Sequence, residues 1–132
     1  MTAVDTSVIV AALSSWHPAH QRARPATRGA VLVSHSLLES YSVLTRLPGE
    51  HRLPPDSVAE ALDRWFNGKV LTASAALQRR TVKQLHAAGI EGGAVYDGLI
   101  GLVVKDHDEH LLTLDERAAR TYRALGVSYE LL

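Results

Sequence analysis

Short apolar runs alternate with helix-patterned stretches along the whole chain, and this alternation limits the fold more than any other feature. Residues 2–5, 30–33, 69–72, 110–113 and 127–130 have the length and composition of strands. Residues 6–13 read as a helix, and 17–24 as a shorter one opened near Pro18. Leu37, Leu38, Tyr41, Leu44 and Leu47 recur at three- and four-residue steps, predicting a helical face that Pro48-Gly49 ends. Pro54-Pro55-Asp56-Ser57 opens another helix, with Val58, Ala61, Leu62, Trp65 and Phe66 on one side and Asn67-Gly68 at its close. Ser74 is placed as the N-cap of a helix carrying Leu77, Thr81, Leu85 and Ala88, and Gly89 fits its end. Residues 94–104 are apolar almost all round, the mark of a buried helix, and 116–125 run to a stop at Gly126. Such alternation predicts an α/β domain with a mostly parallel sheet and helices on both faces. Sites in these sheets form beyond the carboxyl ends of the strands.

No repeat, low-complexity tract or linker divides the 132 residues, so one domain, 1–132, is expected. Apolar residues at 46 % and charged residues at 21 % exclude disordered, collagen-like and coiled-coil classes. No apolar run reaches the ~18–20 residues that span a bilayer. Asp5 interrupts the apolar N-terminus and no basic segment precedes it, so neither a signal peptide nor a membrane anchor is expected. With no cysteine, disulfides and thiolate zinc sites are excluded, and a cytoplasmic location follows as an expectation. Fourteen basic residues balance 14 acidic ones, so any nucleic-acid contact must be local rather than spread over a basic face.

Four acids fall where strands hand over to helices. Asp5 ends the first strand, Asp115 follows the strand ending at Thr113, Glu39 lies in the first turns after residues 31–33, and Asp97 lies near the start of the buried helix. Gaps of 34, 58 and 18 residues separate them in chain order, so only the fold could unite them, at one edge of the sheet. Each also has a bland reading. Asp5 and Asp115 suit helix N-caps, and Ser36-Leu37-Leu38-Glu39 matches a capping box. Asp97 could cap a helix beginning at Gly98, but an unpaired carboxylate amid Val95–Val104 would otherwise carry a large desolvation cost. Two like charges ~5 Å apart repel by roughly 3 kcal/mol at an effective dielectric near 20. Converging carboxylates would therefore hold protons or need a cation. An all-oxygen set suits Mg²⁺ or Mn²⁺ better than Zn²⁺, and such sites commonly hydrolyse phosphodiesters.

Taken in order, these acids and their neighbours resemble the motifs of PIN-domain ribonucleases, specifically the VapC toxins of bacterial type II toxin–antitoxin (VapBC) pairs. Val4-Asp5-Thr6-Ser7-Val8 matches the first motif; Leu38-Glu39-Ser40-Tyr41, with Leu44 and Arg46, is similar to the second. Tyr96-Asp97-Gly98-Leu99-Ile100 is similar to the third, and Leu112-Thr113-Leu114-Asp115-Glu116-Arg117 to the fourth, with its Thr-x-Asp element. The likeness covers essentially the whole chain. It implies a PIN-like three-layer α/β domain with a short-stranded, mostly parallel sheet flanked by helices. It implies an endoribonuclease dependent on Mg²⁺ or Mn²⁺, a homodimer, and a VapB-type antitoxin whose tail covers the acidic groove, often placing an Arg there. Carried over, Asp5, Glu39, Asp97 and Asp115 form the catalytic site. The resemblance implies Asp5 and Asp97 as the direct metal ligands, Glu39 and Asp115 as binding a second metal or acting through water, and Thr6, Ser7 and Thr113 as supporting hydroxyls. This chain departs from the pattern at Gly98, where Ala is frequent, and in the polar run Lys105–His110.

Arg46 and Arg117, each near an acid in sequence, are the candidate RNA phosphate contacts, since guanidinium groups pair with phosphate. The remaining basic clusters read as solvated helix faces. His17 and His20 have a His-x-x-His spacing but no third ligand in view, and read as a surface pair. Trp65 and Phe66 read as core or interface, while Trp16 stays open to base stacking. Two other classes compete. A phosphatase of the haloacid dehalogenase type needs Asp-x-Asp at the first strand, where this chain has Asp5-Thr6-Ser7, and a receiver needs paired early acids. A non-catalytic PIN-like binding module, its acids serving as helix caps, is the alternative.

Overall fold

The structure, a computed structural model, describes residues 1–67 and 70–132. Its elements are β1 (Thr2–Val4), α1 (Thr6–Leu13), α2 (His20–Ala26), β2 (Leu32–Val33), α3 (Ser34–Thr45), a 3₁₀ turn (Gly49–His51), α4 (Pro55–Phe66), β3 (Val70–Leu71), α5 (Ala75–Ala87), α6 (Ala94–Asp106), β4 (His110–Thr113), α7 (Glu116–Ala124) and β5 (Tyr129–Leu131). β1 pairs with β4 and β4 with β5, while β2 pairs with β3, all parallel. A parallel bridge, Ala3–Val31, joins the two groups, with Val4 N–H donating to Val31 O and Val31 N–H to Thr2 O, both at 3.0 Å. The spatial order is therefore 3-2-1-4-5. The chain leaves β1 on one side and returns for β4 on the other, which puts the topological switch point at their carboxyl ends.

The two-residue period of the strands builds a core on each face. Ala3, Val31, Val33 and Leu111 point toward α5, α6 and α7, packing with Leu77, Leu85, Ile100 and Tyr122. Val4 and Leu32 point the other way, toward Val8, Ile9, Leu44, Leu62 and Phe66 of α1, α3 and α4. This is the expected three-layer α/β arrangement of a PIN fold. Among the described residues, no helix is long and apolar enough to cross a membrane.

Several boundaries differ from expectation for local reasons. α2 starts at His20, not near Pro18, because His17 Nδ1 accepts the Ala19 N–H at 3.0 Å and holds a turn ahead of the helix. α3 starts at Ser34, directly after β2, so Ser36 lies inside the helix and the expected capping box does not form. The buried face of α3 is Ser36, Ser40 and Leu44; Leu38 and Tyr41, expected on an inward face, are exposed. Small side chains let α3 lie close to its neighbours, and the larger ones turn outward. β5 starts at Tyr129 rather than residue 127, because Val127 N–H closes α7 on Tyr122 O at 2.9 Å and Gly126 N–H donates to Arg123 O. Of the expected close at Asn67-Gly68 and strand 69–72, Gly68 and Lys69 lie outside the described residues. The polar run Lys105–His110 begins inside the last turn of α6 and is tied down there: Lys105 Nζ donates to Leu125 O at 2.9 Å, and Asp106 pairs with Arg80.

Gly101 shows how tightly α6 meets α7. A Cβ there would lie 2.9 Å from Tyr122 Cδ1 and 3.1 Å from Val127 Cγ2. Gly101→Ala is therefore expected to destabilise the protein by about 1–3 kcal/mol through overpacking, despite the better helix propensity of alanine. A urea unfolding curve checks this; an unchanged or raised midpoint would show that Tyr122 has room to move.

Candidate functional site

Asp5, Glu39, Asp97 and Asp115 line one cavity of about 330 Å³ beyond the ends of β1 and β4, together with Thr6, Ser7 and His17. Four elements deliver the acids. Asp5 is the last residue before α1 and is only 3 % exposed. Asp115 is the exposed N-cap of α7, Glu39 is a half-buried residue of α3, and Asp97 sits half-buried in the first turn of α6.

Two of the bland readings hold in part. The Asp5 carboxylate accepts from Ser7 and Val8 N–H, and that of Asp115 accepts from Arg117 and Ala118 N–H, so both cap helices. The other two fail. α6 begins at Ala94, three residues before Asp97, so Asp97 is not a cap, and α3 has no side-chain cap. Caps account for two of the acids only.

Asp5 is held by a directional chain of hydrogen bonds. The Ser7 hydroxyl gives its single proton to Asp5 Oδ1. Ser7 Oγ therefore accepts, from Leu114 N–H at 2.9 Å and from the Thr113 hydroxyl at 3.3 Å. Thr113 Oγ1 in turn accepts the Asp115 N–H at 3.1 Å. On the other side of the carboxylate, Tyr122 OH donates to Asp5 Oδ2 at 2.8 Å. Burial raises the pKa of Asp5, and the hydrogen bonds it accepts from Ser7, Tyr122 and Val8 oppose that rise. Burial also pushes the Tyr122 phenol up, and the Asp5 charge adds to it, so Tyr122 stays a donor. Thr6, the third expected supporting hydroxyl, is buried with its Oγ1 unpartnered.

Asp97 reports the electrostatics of the cavity. Its pKa is pushed up to about 7, first by burial and then by the charges of Asp5, Asp115 and Glu39. No lysine or arginine is among the described residues lining the cavity. The donor set is all oxygen apart from His17, whose pKa burial lowers, with Arg22 and His20 adding to the effect. Among the described residues, no three acidic or imidazole groups are gathered closely enough to hold a metal ion by themselves. A divalent cation such as Mg²⁺ or Mn²⁺ does not need such a cluster when it keeps several waters and takes one or two carboxylates directly. The residues therefore fit a hydrated divalent cation.

The expected phosphate contacts separate. Arg46 lines an adjoining cavity of about 460 Å³ that shares Glu39 with the first, whereas Arg117 is exposed on α7 outside both. His17 and His20 are not a surface pair. His17 lines the acidic cavity, and His20 Nδ1 donates to Ala11 O at 2.9 Å. Two features escaped the sequence. Tyr122 carries no local signal, since it meets Asp5 from 117 residues away. His35, Glu39 and Ser42 on α3, with Arg46 at its C-cap, form an i, i+4, i+7, i+11 stripe, a signal that is present in the spacing.

The PIN domain family model matches residues 2–124. The chain is 41 % identical over 133 residues to Ribonuclease VapC40 of Mycobacterium tuberculosis, covering 100 % of this chain and 99 % of that one. It is 43 % identical over 129 residues to Ribonuclease VapC27 of the same organism, covering 95 % and 92 %. The structure of FitAB bound to an IR36 DNA fragment superposes with a TM-score of 0.76 at 17 % identity, over 99 % of this chain and 94 % of that one. At that identity the likeness speaks for the fold alone. Matching motifs, fold and full-length similarity agree: the chain belongs to the PIN-domain family, in its VapC ribonuclease branch.

Proposed function

We propose that this protein is the toxin of a VapBC pair, an endoribonuclease that hydrolyses RNA phosphodiester bonds at the four-carboxylate site with Mg²⁺, or Mn²⁺ in its place. The observation that carries this reading is the meeting of Asp5, Glu39, Asp97 and Asp115 on one cavity with no lysine or arginine among its described lining residues, where burial and then the three neighbouring charges push Asp97 up to about 7. Asp5 and Asp97 would hold the ion directly, and Glu39 and Asp115 would hold a second ion or orient water. When bound, the ion supplies water activation and charge stabilisation for the leaving oxygen. Ser7, Thr113 and Tyr122 keep the Asp5 carboxylate oriented and ionisable against its burial. His17 forms a further polar part of the wall.

A cognate antitoxin and a second copy of the chain are the protein partners in this reading. Supporting surface exists: exposed Leu38 and Tyr41 border a cleft of about 410 Å³ between α3 and α4, and exposed Val82 borders one of about 650 Å³ between α5 and α6. The Asp5 and Asp115 caps support the competing binding-module reading, but it leaves Glu39 and Asp97 without a role.

Melting curves separate the two. A metal site predicts that Mg²⁺ raises the melting temperature, by the ordinary linkage of ligand to fold. It also predicts a larger rise at pH 8 than at pH 6, because below about pH 7 the ion must displace the Asp97 proton. The cap reading predicts no effect of Mg²⁺ at either pH. It also predicts that Asp5→Ala and Asp115→Ala each lower stability by ~0.5–2 kcal/mol, while Asn at either position, an equally good cap, costs little.

A further inference from the structure

Beside the carboxylates lies a second polar cavity built differently from the first. His35, Leu38, Glu39, Ser42, Arg46 and Tyr96 line it. His35 and Tyr96 stack with ring centroids 5.2 Å apart and planes 5° from parallel. Tyr96 is 53 % exposed, so the pair presents aromatic surface to solvent rather than to core. His35 Nε2 is 3.6 Å from Glu39 Oε2, which ties the stack to the acidic cavity. Arg46 is exposed at the far end of the stripe, at the α3 C-cap, and makes no ion pair among the described residues. From His35 to Arg46 the stripe spans roughly 16 Å at 1.5 Å per residue. Tyr96 is also the chain neighbour of Asp97, so one helical turn of α6 faces both cavities.

This combination of an open aromatic stack, an unpaired guanidinium and a shared wall with a phosphodiester-cleaving site matches one ligand chemistry. Resting on the ribonuclease reading above, we propose that His35, Tyr96 and Arg46 form a nucleotide subsite that takes one unstacked base and one phosphate of single-stranded RNA next to the scissile bond. The base lies on the His35–Tyr96 stack, as every base has a π-face to offer. The phosphate pairs with Arg46, away from Glu39, whose charge would repel it. Duplex RNA does not fit, because its bases have no free faces. Tyr96 and Arg46 are positioning residues here, setting which nucleotide sits beside the cleaved bond.

The test uses the full chain and a fluorescein-labelled ten-nucleotide single-stranded RNA of mixed sequence, followed by anisotropy in EDTA and by cleavage in Mg²⁺. Tyr96→Leu is expected to raise both the Kd and the KM about tenfold or more, with a smaller change in kcat, while Tyr96→Phe stays near wild type. Arg46→Gln is expected to lower the salt dependence of binding by about one phosphate contact, a slope change of roughly 0.7. Unlabelled single-stranded RNA should displace the probe, and duplex RNA should not. Wild-type cleavage with unchanged KM and Kd in Tyr96→Leu and Arg46→Gln would overturn the subsite and leave the ribonuclease reading standing. Tyr96-dependent binding without cleavage would keep the subsite and remove the ribonuclease reading. A Tyr96→Leu protein that changes its self-association by sedimentation but not its RNA affinity would assign this surface to a second copy and overturn the proposal.

Discussion

Asp97→Asn is expected to abolish RNA cleavage, by about 10³-fold or more, and at the same time to raise the melting temperature of the metal-free protein at pH 8. The two effects have one cause. Asp97 sits half-buried among Asp5, Asp115 and Glu39, and its pKa of about 7 compares with an ordinary value of 3.8. The folded protein thus binds this proton more tightly than the unfolded chain. Stability from it is fully present below about pH 4 and is lost as pH rises through 7. Complete ionisation would cost about 4 kcal/mol at 1.36 kcal/mol per pH unit, and solvent reaching the cavity reduces that to about 2. Asparagine removes the charge and keeps the shape, so the metal-free variant should melt roughly 5 °C higher at pH 8 and no higher at pH 4. Cleavage falls because a site that acts as a unit loses most of its rate with one member. Differential scanning calorimetry at the two pH values checks the stability half. A variant less stable than wild type at pH 8 would mean that Asp97 is a structural acceptor rather than part of a repelling cluster.

Tyr122→Phe is expected to weaken Mg²⁺ binding 10- to 100-fold while leaving the fold intact. The phenol donates to Asp5 Oδ2 at 2.8 Å and is one of the groups that keep Asp5 ionisable against its burial. Without it, Asp5 holds its proton more tightly and its free oxygen is less firmly oriented, the usual effect of removing a partner that supports a ligand. The ring itself, fully buried against Gly101 and Val127, is retained in Phe. Cleavage should fall in proportion at limiting Mg²⁺ and recover when Mg²⁺ is raised, as titration calorimetry and a metal-dependence curve would show. An unchanged metal dependence would mean that the Tyr122 hydrogen bond serves packing alone.

Much of this site was legible because its parts follow local rules. The apolar runs around Val4 and Leu112 are strands by composition, and the polar residues directly after them, Asp5 and Asp115, satisfy helix N-termini. Parallel topology then brings strand ends together. Motif order carried Glu39 and Asp97, which no local rule connects. What stayed hidden depends on tertiary contact. The bond from Tyr122 to Asp5 joins residues that only the packing of α7 on α6 brings together. The inward face of α3 departs from its hydrophobic pattern, which favours Leu38 and Tyr41, because close packing selects Ser36 and Ser40. His17 is part of the cavity wall rather than a surface residue because its loop, held by the Ala19 N–H donating to His17 Nδ1, folds it over the cavity.

Whether one acidic centre cuts RNA with a divalent ion is decided by incubating purified, antitoxin-free protein and its Asp97→Asn variant with structured bacterial RNA in Mg²⁺, Mn²⁺ and EDTA, and mapping cuts at nucleotide resolution. Wild type is expected to make discrete cuts in either metal, concentrated in single-stranded loops, and to lose them both in EDTA and in the variant. Cuts that persist in Asp97→Asn or in EDTA would contradict a single metal-dependent centre.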